Sequence, residues 1–238
     1  MPILILLRHG QSQWNLEDRF TGWVDVDLTP QGEAEALRGG ELIKAAGIAI
    51  DRCCTSVLTR AIRTSWLALW AAGQAYVPET KDWRLNERHY GGLTGLNKAE
   101  TAKQHGAEQV MIWRRSYDVP PPELAADSPF DFARDRRYAG AALPRTESLK
   151  TTLDRVRPYW EDEIAPRLAA DETLLVAAHG NSIRAIVKLL FGVSDAEIVG
   201  VEIPTGNPLV VELTASLKPT AARYLDGARA QALPGHTK

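Results

Sequence analysis

The chain has 238 residues, enough for one α/β domain or two small ones, and its 45% hydrophobic content can fill a sizeable core. With 28 basic against 30 acidic residues, it lacks the basic surface that nucleic acid or an anionic membrane selects. No apolar stretch approaches the roughly 20 residues of a membrane-spanning helix, and the amino terminus lacks a basic segment followed by a signal-type core and cleavage site. The cytoplasm is therefore the expected address.

The first element is the run Ile3-Leu4-Ile5-Leu6-Leu7, which ends in Arg8-His9-Gly10. A short aliphatic segment closed by a glycine turn reads as a strand buried on both faces, as in a parallel sheet. Side chains just past the carboxyl end of such a strand sit where open α/β sheets bind ligands. Arg8 and His9 therefore bring an anion clamp and a potential nucleophile to that edge. Ser12 and Asn15 add hydroxyl and amide donors, and Thr21-Gly22 supplies a hydroxyl and a free backbone, so the first thirty residues read as a phosphate pocket around a histidine.

Thr29-Pro30 opens a periodic segment to Gly47, a helix with threonine as its cap and proline in its first turn. Ile48 to Cys54 is a second strand candidate. Ser56 is placed to cap a helix through Gly73, with Ile62, Trp66, Leu69 and Trp70 at core-facing spacing. One or two helices are expected over residues 97–116 with Trp113 inward. Residues 118–145 carry Pro120-Pro121-Pro122 and little apolar periodicity, and read as a long irregular insert. A helix over Leu149–Ala169 should bend or break at Pro158 and Pro166. Leu174–Ala178 is a third buried strand, followed by a helix from Ser182 to Phe191, with Trp160 also in the core. Leu209–Leu213 is a further strand. This alternation predicts an α/β fold of three layers, a mostly parallel sheet flanked by helices.

His179-Gly180-Asn181-Ser182 repeats the first design: a histidine after an apolar strand, at a turn whose backbone N–H groups and following helix dipole attract a phosphate. Adjacent Cys53 and Cys54 point to opposite faces of a strand, which disfavours a disulfide between them. No His, Cys or carboxylate spacing suggests a metal site.

Leu7-Arg8-His9-Gly10 resembles the signature of the histidine phosphatase superfamily, whose catalytic histidine becomes phosphorylated. The longer segments Arg8-His9-Gly10-Gln11-Ser12-Gln13-Trp14-Asn15, Arg19-Phe20-Thr21-Gly22-Trp23 and Leu85-Asn86-Glu87-Arg88-His89-Tyr90-Gly91 resemble the cofactor-dependent phosphoglycerate mutases, in order and over nearly the whole chain. That resemblance implies interconversion of 2- and 3-phosphoglycerate, primed by 2,3-bisphosphoglycerate and independent of metal. The alternative is a phosphomonoesterase or bisphosphoglycerate phosphatase of the same superfamily. A non-catalytic binding module is disfavoured because His9, His179 and Glu87 are all present.

The resemblance further implies phosphorylation of His9 on Nε2, Glu87 as general acid and base, and His179, Arg8 and Arg60 around the transferring group. Ser12, Asn15, Thr21, Gly22, Tyr90, Lys98, Arg114, Arg115, Gly180 and Asn181 are then expected to bind the small-molecule phosphoglycerates. His89 fits a structural role, and His105 and His236 fit the surface. One domain spanning 1–238 is expected, with the insert covering the active site, in a homo-oligomer of two or four copies. Two departures stand out: Gln11 occupies a position where many members carry glutamate, and the tail at about 226–238 is short for a segment that elsewhere closes over the site.

Overall fold

The amino-terminal aliphatic run lies at the centre of the molecule. The computed structural model describes residues 1–233. Its sheet has six strands, β1 (Ile3–Arg8), β2 (Arg52–Thr55), β3 (Glu79–Lys81), β4 (Leu174–Ala178), β5 (Leu209–Leu213) and β6 (Pro219–Tyr224). They lie in the order β3-β2-β4-β1-β5-β6. The first four run parallel, and β5 runs against both β1 and β6.

Among the described residues eight α-helices accompany the sheet. They are α1 (Gln13–Leu16), α2 (Pro30–Ala45), α3 (Thr59–Ala71), α4 (Lys98–His105), α5 (Ala107–Arg115), α6 (Leu149–Tyr159), α7 (Ala165–Ala169) and α8 (Gly180–Phe191). Strand residues alternate between two cores because successive side chains point to opposite faces. Leu4, Leu6, Cys54, Val176 and Val211 pack with Leu153 and Val156 of α6 and Ile183 and Ile186 of α8. Ile5, Leu7, Cys53, Leu175 and Val210 pack with Ile43 of α2 and Ala68 and Leu69 of α3. The three-layer reading holds, and the two cysteines are buried, unbonded and on opposite faces.

Several expectations need correction. The second strand begins at Arg52 rather than Ile48, because the buried Gln74 amide occupies the intervening backbone: it accepts from Ile50 N–H at 2.7 Å and donates to Ile48 O at 2.9 Å. Trp66 and Trp70 are not core residues; they are 56% and 73% exposed. The seam between α2 and α3 is too close for large side chains, since a Cβ on Gly40 would lie 2.1 Å from the carbonyl oxygen of Ala68. Ala61, Thr64, Ser65 and Ala68 make up most of the buried face of α3, beside Leu69, and the indoles turn outward. Helix α3 starts at Thr59, with Ser56 Oγ accepting from Leu58 N–H instead of capping the first turn.

Of the one or two helices expected over 97–116 there are two, divided at Gly106, whose φ of +86° suits glycine. Residues 149–169 are continuous, with a π-helical turn over Trp160–Ile164 joining α6 to α7. Helix α8 opens two residues early, at Gly180. Strands β3 and β6 were not anticipated: both sit at sheet edges, and β6 begins with a proline and buries only Tyr224.

Residues 118–145 pack behind the pocket loops. Phe132 and Tyr138 stack around Trp23, at ring separations of 6.4 and 4.9 Å. Arg137 pairs with Asp25 at 2.5 Å.

In an exposed helix Gly→Ala stabilises by about 1 kcal/mol. Gly40→Ala should do the opposite, lowering the unfolding free energy by about 1–3 kcal/mol as the added methyl forces α2 from α3. Urea denaturation measures it, and a gain in stability would contradict the close approach.

Candidate active site

Strands β1 and β4 are neighbours in parallel register, with Arg8 beside Ala178. Their ladder continues one step, as His9 N–H donates to Ala178 O at 2.9 Å. The two histidines that follow these strands are thereby brought together, with ring centroids 5.0 Å apart in an edge-to-face arrangement. Glycine makes this turn possible: a Cβ on Gly10 would fall 2.0 Å from Gly32 O, at the first turn of α2.

His9 is buried, and its Nδ1 lies 2.7 Å from Gly10 O. A carbonyl can only accept, so Nδ1 carries the hydrogen and Nε2 keeps its lone pair. Burial holds the His9 pKa well below 6.5, reinforced by the charges of Arg60 and Arg8. The ring is neutral at physiological pH. His179 is lowered in the same direction, first by burial and then by Arg60 and His9. Its Nε2 lies 2.7 Å from Ser56 Oγ, and its buried Nδ1 has no partner among the described residues.

Two arginines face this pair with their charge uncancelled. Arg60 is 1% exposed, and its guanidinium donates to Gly22 O at 2.8 Å and Val24 O at 2.9 Å. Burial brings its pKa down to about 10, against the pull of Glu87 and Asp25, so it stays cationic. Arg8 donates from Nη1 to Ile203 O at 2.8 Å. Neither arginine has a carboxylate within ion-pair distance among the described residues. Arg8 Nε, Arg60 Nε and Thr21 Oγ1 are buried without partners among the described residues. Buried donors left unpaired around one opening mark an anion site.

Glu87 closes another side. Its Oε1 accepts from Arg88 N–H at 2.7 Å and Asn181 N–H at 3.1 Å. A salt bridge to the Arg88 side chain is not made; that guanidinium donates to Arg114 O and lies over the Tyr90 ring. Gly180 separates Glu87 from Arg8: a Cβ there would lie 3.5 Å from the Arg8 guanidinium and 3.7 Å from Glu87 Oε2. The Asn181 amide donates to Tyr90 Oη at 3.3 Å.

The cavity over these groups holds about 220 Å³. Arg8, His9, Asn15, Thr21, Gly22, Arg60, Glu87, Tyr90, Lys98, Arg114, Arg115, Gly180 and Asn181 all line it. Two anticipated residues do not. His179 lies behind, against the His9 ring, and Ser12 is fully buried, its hydroxyl accepting from Asn15 N–H to cap α1. Residues 118–145 contribute nothing to the lining; they brace it from behind.

Sequence reasoning missed Arg19, Phe20, Arg184, Glu202 and Ile203 as lining residues. Arg184 had a signal, since it stands three residues beyond Asn181 on α8 and donates to its Oδ1 at 3.0 Å. Glu202, which pairs with Arg115, and Ile203 come from an irregular segment with no local pattern. Seven cationic and two anionic side chains line the space, a balance suited to a small polyanion such as a bisphosphorylated acid. Among the described residues no group of three or more His, Cys, Asp or Glu is arranged to hold a metal ion.

Comparisons with known proteins agree with this site. The sequence profile of the histidine phosphatase superfamily (branch 1) matches residues 4–136 and 123–221. A Caulobacter vibrioides protein named 2,3-bisphosphoglycerate-dependent phosphoglycerate mutase is 75% identical over 98% of this chain and 99% of its own length. A Sphingopyxis alaskensis protein of the same name is 64% identical over 94% of this chain and 99% of its own length. The solved structure of a mycobacterial glucosyl-3-phosphoglycerate phosphatase shares the fold, with a TM-score of 0.69 over 88% of this chain and 92% of that one at 23% identity. The chain belongs to the histidine phosphatase superfamily and, within it, to the 2,3-bisphosphoglycerate-dependent phosphoglycerate mutases.

Three buried histidines have depressed pKa values: His9, His179 and His89, the last lowered by burial to about 4. The unfolded chain protonates them near 6.5 and the folded one does not, so unfolding takes up protons below that pH and stability falls with acidity. Each contributes a slope of up to about 1.4 kcal/mol per pH unit. Urea titrations between pH 7.5 and 5 should show unfolding free energy dropping from about pH 6.5 downward, and a flat profile there would contradict the assignment.

Proposed function

We propose that this chain interconverts 2-phosphoglycerate and 3-phosphoglycerate, a step of glycolysis and gluconeogenesis, through a phosphohistidine at His9. The observation that carries the reading is the His9 ring: neutral, buried, fixed by Gly10 O and facing two arginines that make no ion pair among the described residues. When bound, 2,3-bisphosphoglycerate supplies the phosphoryl group that primes His9.

In the forward transfer His9 Nε2 forms a bond to phosphorus as the phosphorus–oxygen bond to the acid breaks, and Glu87 gives its proton to the leaving oxygen. Nδ1–H remains on Gly10 O and stabilises the ring as it gains charge. Arg8 and Arg60 hold the non-bridging oxygens, whose charge spreads in the loose transition state. His179 joins them from Nδ1 when Ser56 donates its hydroxyl proton to Nε2. In the return step a substrate hydroxyl gives its proton to Glu87 while the Nε2–phosphorus bond breaks. Lys98, Arg114 and Arg115, which line the cavity, receive the carboxylate and the second phosphate.

A phosphatase reading is favoured by one observation. Among the described residues, none of 226–233 lines the cavity; Arg229 donates to Thr205 O and Leu233 is buried in the core beneath the sheet. Covering of the site from this segment would otherwise keep water from the phosphohistidine. Conversion of 3- to 2-phosphoglycerate with and without the primer, with free phosphate followed in the same tube, separates the two. Primer-dependent isomerisation with little phosphate release is expected; phosphate release without isomerisation would establish the phosphatase. His9→Ala should abolish both, while Glu87→Gln slows transfer by roughly 10²–10⁴-fold with substrate affinity nearly intact.

We also infer a homo-oligomer. Among the described residues edge strand β3 has one unpaired side, and Trp66, Trp70 and Tyr76 are 56%, 73% and 80% exposed. Exposed aromatic side chains near an unpaired strand edge suit a second copy of the chain. Sedimentation should show a dimer or larger species, converted to monomer by Trp66→Glu with Trp70→Glu. A monomeric parent protein would overturn this.

A further inference from the structure

The segment that carries Glu87 has almost no regular structure. It makes one 3-10 turn over Trp83–Leu85 and is then irregular to Tyr90. Buried backbone groups need partners, and here a side-chain pair supplies them. Arg155 donates from Nη1 to Arg84 O at 2.7 Å and, at 3.3 Å, to Trp83 O and Asn86 O; Nη2 reaches Glu87 O at 3.1 Å. Glu147 grips the far end: its Oε2 accepts from His89 N–H at 2.8 Å, and its own N–H donates to His89 O at 2.9 Å. The two side chains bond each other at 2.7 and 2.9 Å with only 6% and 2% exposed.

We infer that the buried Glu147–Arg155 pair is a positioning device for the Glu87 carboxyl. The inference rests on reading Glu87 as the general acid and base. A buried ion pair seldom adds net stability over apolar residues of the same volume. What this pair does that apolar residues could not is fix four carbonyls and the His89 backbone, on either side of the reactive residue. Trp23 joins it, lying under the Arg155 guanidinium at 5.3 Å and donating from Nε1 to Glu87 O at 2.6 Å. The Glu87 backbone is thus held from one side, while Arg88 N–H and Asn181 N–H aim its carboxyl from the other. Arginine is required because its planar fork reaches several carbonyls at once, which a lysine ammonium on a flexible stem cannot do.

The test is a double-mutant cycle on isomerase turnover in the full chain, using Arg155→Lys and Glu87→Gln singly and together. If Arg155 acts through Glu87, Arg155→Lys lowers kcat by about 10–100-fold in the parent with KM changed by less than about 3-fold, and by less than about 3-fold further once Glu87 is glutamine. Equal losses in both backgrounds, or no loss in the parent, would overturn the inference and leave the pair structural. Unimpaired turnover in Glu87→Gln alone would instead bring down the acid/base reading beneath it. Should Arg155→Lys fail to unfold cooperatively, Glu147→Gln replaces it, since it keeps an oxygen for His89 N–H while removing the charge. The same non-additive pattern with Glu87→Gln is expected, and additive losses would again overturn the proposal.

Discussion

Everything at this site depends on one short hydrogen bond, from the His9 ring to the carbonyl of the next residue. In the proposed transfer it decides which nitrogen attacks, because the atom that donates cannot also do so. The surroundings make that choice matter. Burial and the neighbouring guanidinium groups keep the imidazole uncharged, so its free nitrogen has a lone pair to offer at any pH near neutrality. Under the proposed function, the same cations that suppress protonation attract the phosphate that the ring would receive. One electrostatic arrangement thus serves both nucleophile and substrate.

Holding that arrangement falls to the fold around it. Parallel pairing of β1 with β4 sets the two histidines side by side, and glycines let α2 approach the first His-Gly turn to backbone contact. Arg60 is anchored through carbonyls of the 22–24 loop, and the Asp25 carboxylate in turn accepts from the first residue of α3 and from Arg137. The 118–145 insert therefore reaches the site indirectly, through the loop that holds an arginine. Glu87 is held in the same manner by the pair on α6 and its amino-terminal flank. Among the described residues Arg8, Arg60 and Glu87 make no ion pair, whereas Lys98, Arg115, Arg137 and Arg155 are each paired.

Much of this was legible in the sequence because it is local. The strand ending in Arg8-His9-Gly10, its counterpart ending in His179-Gly180, and the Thr29 cap are each written within a few consecutive residues. The three-layer fold follows from apolar runs too short for helices alternating with periodic segments. What escaped is non-local. Whether Trp66 and Trp70 face a core depends on how closely α2 packs on α3, which is set by Gly40 some 26 residues earlier. Glu202 and Ile203 join the pocket from an irregular segment, and edge strands β3 and β6 lack the two-sided burial that marks the central ones. In the motif Ser12 reads as a ligand donor, yet its hydroxyl accepts from Asn15 N–H as the cap of α1.

The most direct test of the account is the identity of the phosphorylated atom. The protein, incubated with 2,3-bisphosphoglycerate and labelled with nitrogen-15 at histidine, should give a phosphoenzyme whose phosphorus–nitrogen coupling places the phosphoryl group on Nε2 of His9. Coupling to Nδ1, or a phosphoryl group carried by any other residue, would contradict the role given to the Gly10 carbonyl and to His9 itself.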